Sequence, residues 1–228
     1  MERIKMPLNK TTGNMFDWTS HTWNPIRGKC LHDCSYCSIK DIAKRYNKPQ
    51  EPIHLVESEL KTNLGEGNII FVGSSCDMFA KDIPDEWIRK VLRHCKEFDK
   101  NKYLFQTKDP SRFLCFEGEY PTYTYYGTTI ETNEEYNLGN APMRQVRASW
   151  MKALKSPNKI VTIEPIMEFE LEPFVKMLRF IHPLWINIGA DSKGHKLREP
   201  SRAKVNELIV RLKTFTEVKR KTNLERLK

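Results

Sequence analysis

Ile69-Ile70-Phe71-Val72-Gly73 is a short apolar run cut off by a glycine, and residues 84–98 follow it with helical spacing. Pro84 suits a first helical turn, Asp85 and Glu86 suit the helix dipole, and Trp87, Ile88, Val91, Cys95 and Phe98 make one apolar stripe. Four apolar residues are too few for a helix, so the pair reads as one strand–helix unit. The unit recurs. Residues 102–107 form the next β run, with a helix near 111–113. Residues 123–130 are β-branched and aromatic, and a helix over 143–154 carries the stripe Met143, Val146, Trp150 and Leu154. Residues 159–163 end at Pro165, before a helix through Leu171, Phe174, Val175 and Leu178. Residues 185–188 end at Gly189, and a last helix over 201–215 buries Val205, Leu208, Ile209 and Leu212. Upstream, Thr22-Trp23-Asn24 is a first strand and 39–46 its helix, giving six units. Regular alternation predicts an α/β fold with a parallel sheet and outer helices.

Sites in such folds gather where the strands end. The residues there are polar in every unit: Ser74, Ser75 and Asp77; Thr107 and Lys108; Thr129 and Glu131; Glu164; Asn187, Asp191 and Ser192. Between the first strand and its helix lies Cys30-Leu31-His32-Asp33-Cys34-Ser35-Tyr36-Cys37, which therefore opens on the same rim. Three thiols this close can face one centre, and soft thiolates select zinc, copper(I) or iron–sulfur clusters. A closed zinc site wants four ligands, usually as two pairs, and no second Cys-x-x-Cys or His-x-x-x-His pair is present. His32 sits too close to Cys30 and Cys34 to serve the same ion easily.

The composition sets outer limits. The 228 residues suit one domain, and 38 Lys+Arg against 29 Asp+Glu leave a charge of +9, which favours anionic partners. No stretch approaches the roughly 18 apolar residues of a membrane span, and Met1–Lys5 has no apolar signal core. A cytoplasmic, reduced protein is expected, with the six cysteines as ligands, reactive thiols or core fillers.

Cys-x3-Cys-x2-Cys with Tyr36 before the last cysteine resembles the signature of the radical SAM superfamily. Thr22-Trp23-Asn24-Pro25, the run 71–79, Ile83-Pro84-Asp85-Glu86, Gln106-Thr107-Lys108, the run 127–133 and Ile163-Glu164-Pro165 resemble, in the same order, a small radical SAM family of phages and prokaryotes. That family is usually described only as a phage protein or a protein of unknown function. The resemblance covers about residues 18–200 and implies a partial (β/α)6 TIM-like barrel. It divides the chain into an N-terminal segment (1–17), a core (18–215) and a basic tail (216–228).

The resemblance also implies cofactors and roles. Cys30, Cys34 and Cys37 would hold a [4Fe–4S] cluster whose open iron takes S-adenosylmethionine (SAM). An electron donor of flavodoxin or ferredoxin type would drive cleavage to a 5′-deoxyadenosyl radical, which takes hydrogen from the substrate. Gly73, Ser74 and Ser75, with Asp77 nearby, would meet the methionine amino group, and Glu131 the ribose. Arg144, or less directly Arg147, would meet the methionine carboxylate, while Tyr36, Glu164 and Gly189 would flank the adenine or the cluster. Lys108, Glu164 and Asp191 become substrate-side groups, and Cys76 a thiol able to return hydrogen to a substrate radical. Cys95 reads as core.

Residues 211–228 hold Arg211, Lys213, Lys219, Arg220, Lys221, Arg226 and Lys228 against Glu217 and Glu225, or +5 of the +9. This run suits nucleic-acid phosphates, or else packs Phe215, Val218, Leu224 and Leu227 on the barrel. Two other classes stay open: a zinc-stabilised nucleic-acid-binding module, and a single-cluster electron carrier without SAM chemistry.

Overall fold

The computed structural model describes residues 8–12 and 16–228. The Met1–Lys5 start and parts of the 1–17 segment lie outside the described residues. In chain order the strands are β1 (Asn9–Lys10), β2 (His21–Trp23), β3 (Ile26–Arg27), β4 (His54–Leu55), β5 (Ile69–Val72), β6 (Lys102–Thr107), β7 (Thr124–Thr129), β8 (Lys159–Ile163), β9 (Trp185–Ile188) and β10 (Glu217–Arg220). The helices are α1 (Ser38–Arg45), α2 (Asp85–Glu97), α3 (Ser111–Leu114), α4 (Arg144–Ala153), α5 (Leu171–Ile181) and α6 (Arg202–Leu212).

One sheet runs β1-β2-β5-β6-β7-β8-β9-β10, while β3 and β4 form a separate ribbon. Only β1 pairs antiparallel; every other neighbour in the large sheet is parallel. The strand order follows the chain without reversal, which is the winding of a barrel, and β1 and β10 end it as separate edges. The partial α/β barrel expected from the alternation is present, with one change. A seventh parallel strand, β10, comes from the segment read as a basic tail. Its surroundings explain this: Leu224 and Leu227 are buried in the main core, with Phe215 and Val218 packed against it.

Alternate strand residues point to opposite faces of the sheet. Ile70, Val72, Tyr103, Phe105, Val161, Ile163, Ile186 and Ile188 join the core under the helices. Phe71, Leu104, Ile160 and Trp185 form a second cluster with Phe16, against which Trp18 and Tyr125 pack. Phe71 pairs with Leu104, Leu104 with Tyr125, and Ile160 with Trp185, so this cluster plugs the concave side. Lys219 lies 4.3 Å over the Trp185 ring, spending a tail charge on that plug. One turn toward the strand ends the interior becomes polar. Gln106 donates to Thr129 Oγ1 (3.3 Å), Thr162 donates to Gln106 Oε1 (3.1 Å), and Asn187 reaches Thr162 at 3.4 Å. That belt is the floor of the site.

The inner face of α4 differs from the expected stripe. Met143, Val146 and Trp150 are exposed and only Leu154 of that stripe is buried, whereas Arg144, Arg147, Ala148 and Met151 turn inward. A buried carboxylate, Glu131, draws the two guanidiniums inward and turns the apolar residues out. Cys95 is core, as expected.

Removing buried methyl groups from the segment beyond β10 should unsettle the whole barrel. We expect Leu224→Ala to lower unfolding free energy by about 2–4 kcal/mol in urea titration. A change within about 0.5 kcal/mol would mean that this segment is not integral to the core.

Candidate active site

A cavity of about 540 Å³ opens at the carboxyl ends of the strands. Its wall includes Cys30, Cys34 and Cys37 from the loop after β2, and Gly73, Ser74, Ser75, Cys76 and Asp77 from the turn after β5. Gln106 and Thr107 end β6 with Lys108 just after it, and Glu164, Ala190, Asp191 and Ser192 follow β8 and β9. The site thus joins most of the polar strand-end residues expected from the sequence.

The cysteine loop is held from two sides. Asn140 N–H donates to the His32 carbonyl at 2.7 Å and Ser35 N–H donates to the Leu138 carbonyl at 2.9 Å. Gly139 permits this approach: at φ +136° a Cβ there would stand 2.4 Å from the His32 oxygen. From the other side, His32 Nε2 bonds Asp77 Oδ2 at 2.8 Å. Asp77 also accepts from Thr107 Oγ1 (3.0 Å) and from the backbone N–H groups of Lys108 (2.8 Å) and Phe79 (3.0 Å). Burial opposes the charge on both partners, and their mutual attraction outweighs it. His32 is raised above its usual value and Asp77 is lowered. Asp77 therefore anchors the loop with its oxygens already engaged.

Cys30 and Cys76 share a side-chain hydrogen bond, and backbone N–H groups of Asp77 and His32 also point at Cys30. These donors lower Cys30 to about 6, the Cys76 bond contributing most. Cys76 is pushed the other way, first by that bond and then by burial, and stays a thiol. Burial raises Cys34. Burial also works against the Lys108 charge, but the Cys34 sulfur and Glu131 more than offset it. The Lys108 ammonium sits 5.4 Å over the Tyr36 ring.

Glu131 and Arg144 lie apart from the main cavity. They face a side chamber of about 150 Å³, whose wall shares Cys34 and Tyr36 with it. Glu131 is fully buried. It accepts from the Tyr36 hydroxyl, and from Arg147 Nη1 at 3.1 and 3.2 Å. Arg147 also donates to the Thr129 carbonyl at 3.0 Å, while Arg144 donates to the Tyr136 carbonyl at 2.9 Å. Arg147 is thus the closer partner of Glu131.

Gly189 lies beneath Glu164: a Cβ there would meet the Glu164 carboxyl carbon at 2.7 Å. Glu164 accepts from Lys221 at 2.7 Å and from Asn223 at 3.1 Å. Asn223 also binds the Ala190 backbone and Ser192, so the chain beyond β10 fastens the loop after β9. At β2, Asn24 Oδ1 accepts from Ser75 N–H (2.9 Å) and Ser74 Oγ (3.2 Å).

These supporting residues escaped the sequence reading. Lys221 and Asn223 sit in a run that looked like a solvated tail. Asn24 and His32 lay inside quoted motifs, and a polar residue beside a ligand loop was the available signal. His195 gave none. It bonds Asp191 Oδ1 at 2.6 Å and Asp41 Oδ2 of α1 at 2.9 Å, strapping the loop after β9 to α1 across the cavity mouth.

Among the described residues, no group of three His, Cys, Asp or Glu side chains is arranged to hold a single metal ion. No helix among them is long and apolar enough to cross a membrane.

The fold is a mixed α/β, mostly parallel partial barrel, shared with solved structures of spore photoproduct lyase. One, a variant with bound AdoMet and dinucleoside spore photoproduct, is 12% identical with a TM-score of 0.60, over 87% of this chain and 63% of that chain. Two further variants of the same enzyme, each 12% identical, give TM-scores of 0.63 and 0.62 over 90% of this chain and 64% of theirs. The chain thus spans somewhat less than two thirds of the length of these neighbours. Residues 14–211 match the family model described as protein of unknown function (DUF5131), and the chain belongs to that family. No curated protein matches it.

The strap has a testable charge. Burial alone would lower His195, but the hydrogen bonds its ring donates to the Asp191 and Asp41 carboxylates raise it above 6.5. A raised histidine stabilises the fold below its unfolded value, and that contribution fades as pH rises through the folded one. We expect an NMR titration of His195 with a midpoint above 6.5, moved down by Asp41→Asn. An unchanged midpoint in that variant would mean the bridge to α1 does not form in solution.

Proposed function

We propose that this protein is a radical SAM enzyme acting on a nucleic-acid-type substrate. The observation that carries the reading is the placement of Cys30, Cys34 and Cys37 on the wall of the same strand-end cavity as the polar residues of β5, β6, β8 and β9. The donor set fits a cluster. Each thiolate of a [4Fe–4S] cluster takes its own iron, so its ligands surround a volume and need not converge on one point. The low Cys30 value favours a thiolate. The cavity volume falls in the range of cofactor sites, roughly 300–1,000 Å³. The shared fold of an AdoMet- and dinucleoside-binding lyase supports both the cofactor and the substrate class.

When bound, the cluster and SAM supply one-electron cleavage of the sulfonium and hydrogen abstraction from substrate. The chain's part is to bind, orient and keep water out. Cys30, Cys34 and Cys37 would hold the cluster, with Asp77 and His32 fixing their loop. Gly73, Ser74 and Ser75, braced by Asn24, would meet the methionine amino group. Lys108 lies on the same cavity wall as the thiols and suits the methionine carboxylate or an anionic substrate. Arg144 and Glu131 would act through the side chamber by positioning Tyr36. Glu164, above Gly189, would face adenine or substrate.

Cys76 retains its hydrogen. Returning it to a substrate radical breaks S–H and forms C–H. One electron and one proton, delivered through a flavodoxin- or ferredoxin-type donor and solvent, then restore the thiol. Such thiol and electron chemistry suits a reducing cytoplasm, that of a phage-infected host included.

Anaerobic reconstitution tests the reading. We expect about four irons per chain and reductant-dependent release of 5′-deoxyadenosine from SAM. Cys34→Ala should lose both while its circular dichroism stays that of wild type. Cys76→Ala should keep iron and lose product. Zinc in the anaerobically purified protein with no SAM cleavage after reconstitution would sink the proposal.

A further inference from the structure

The basic tail carries more than half of the net charge, but the fold spends much of that charge elsewhere. Lys219 covers Trp185, Lys221 pairs with Glu164, Arg211 with Glu172 and Arg226 with Glu199. A cluster of exposed positive charge without ion pairs flanks the cavity mouth. On α1 and just beyond it, Lys44, Arg45 and Lys48 are exposed, and none has an ion pair among the described residues. Across the mouth, Lys193 and Lys196 are exposed and without ion pairs in the same sense. The acid of α1, Asp41, is already bound to His195.

α1 is also unusual in its packing. It buries no residue, and Ile42 and Tyr46 are exposed beside these charges, with Ile42 lining the cavity. An amphipathic helix normally gains its stability from a covered apolar face. Here that face meets the cavity mouth, and an exposed tyrosine among cations is the pairing that holds single strands: cations on phosphates, a ring under a base. A recessed cavity cannot admit a base that remains stacked in a duplex.

We propose that the α1 rim, through Lys44, Arg45, Lys48 and Tyr46, binds the backbone and one base of single-stranded nucleic acid and delivers an unpaired nucleotide to the cavity. This deepens the proposed function and rests on its reading of the cavity as the reaction site. An acidic redox partner would also be drawn to such a surface. The exposed aromatic and the opposed lysines across the mouth favour a strand running over it.

The test uses full-length reconstituted protein and fluorescence anisotropy with a labelled oligo-dT of about 20 nucleotides. Lys44→Ala/Arg45→Ala/Lys48→Ala should weaken binding about tenfold or more near 0.1 M salt and reduce the log–log salt slope by about 2. Tyr46→Ala should weaken binding about tenfold with the slope unchanged. A control removing Lys155, Lys176 and Lys213, exposed on the outer helix layer, should change it less than about twofold. Wild-type iron content and melting temperature show that each variant is folded. Equal losses in rim and control variants, binding to a matched duplex as tight as to the single strand, or no oligonucleotide binding would overturn the proposal. So would unchanged oligonucleotide binding with slowed reduction by flavodoxin. SAM cleavage without rim binding refutes this inference alone, and rim binding without SAM cleavage refutes the radical reading instead.

Discussion

The site depends on one carboxylate. Asp77 takes hydrogen bonds from the cysteine loop through His32, from the end of β6 through Thr107 and Lys108, and from its own turn through Phe79. Three chain segments far apart in sequence therefore share one charge. A buried carboxylate is tolerated only when its oxygens are occupied, and leaving one uncompensated costs about 3–5 kcal/mol. The same bonds that neutralise Asp77 set where the three thiols stand relative to the strand ends. Geometry at the cysteines is thus enforced from Asp77 on one side and from residues 138–140 on the other, around a loop that carries one backbone position, Asp33, in the left-handed region.

A similar device recurs around the rim. Glu131 with Arg147 and Tyr36, and Glu164 with Lys221 and Asn223, each place a carboxylate among donors from a different element. Such pairs add little net stability, since desolvation offsets most of the attraction. What they supply is position. Glu131 pulls the α4 arginines inward, and Asn223 ties the loop after β9 to the last strand. The barrel is open at β1 and β10, and these charge clusters fix the loops at its strand ends.

The sequence made the parallel strands legible because their apolar runs are short, continuous and bounded by glycine or proline. β5, β6, β8 and β9 span the runs 69–72, 102–107, 159–163 and 185–188 as expected. Two elements were misread for one physical reason. On α4 and β10 the residues that turn inward are cationic, because their partners inside are acidic or aromatic. Hydropathy ranks Arg144, Arg147, Lys219 and Lys221 as surface residues, and it cannot see Glu131, Trp185 or Glu164 waiting in three dimensions. The candidate site was legible as a set of strand ends. Its supports were not, because Asn24, His32 and Asn223 act through contacts no local pattern encodes.

That misreading changes what the +9 charge means. Charge counted along the chain pointed at the C-terminus, where Lys219 and Lys221 prove to be structural. A cation over an indole or paired with a partly buried carboxylate is lost to long-range attraction, because its field is largely cancelled nearby. Only charges without such partners contribute to steering an anion. By that criterion the attractive region moves from the last strand to the mouth of the cavity. There Lys44, Arg45 and Lys48 are exposed on and just beyond α1, whose Ile42 lines the cavity, so an anionic ligand is drawn toward that rim.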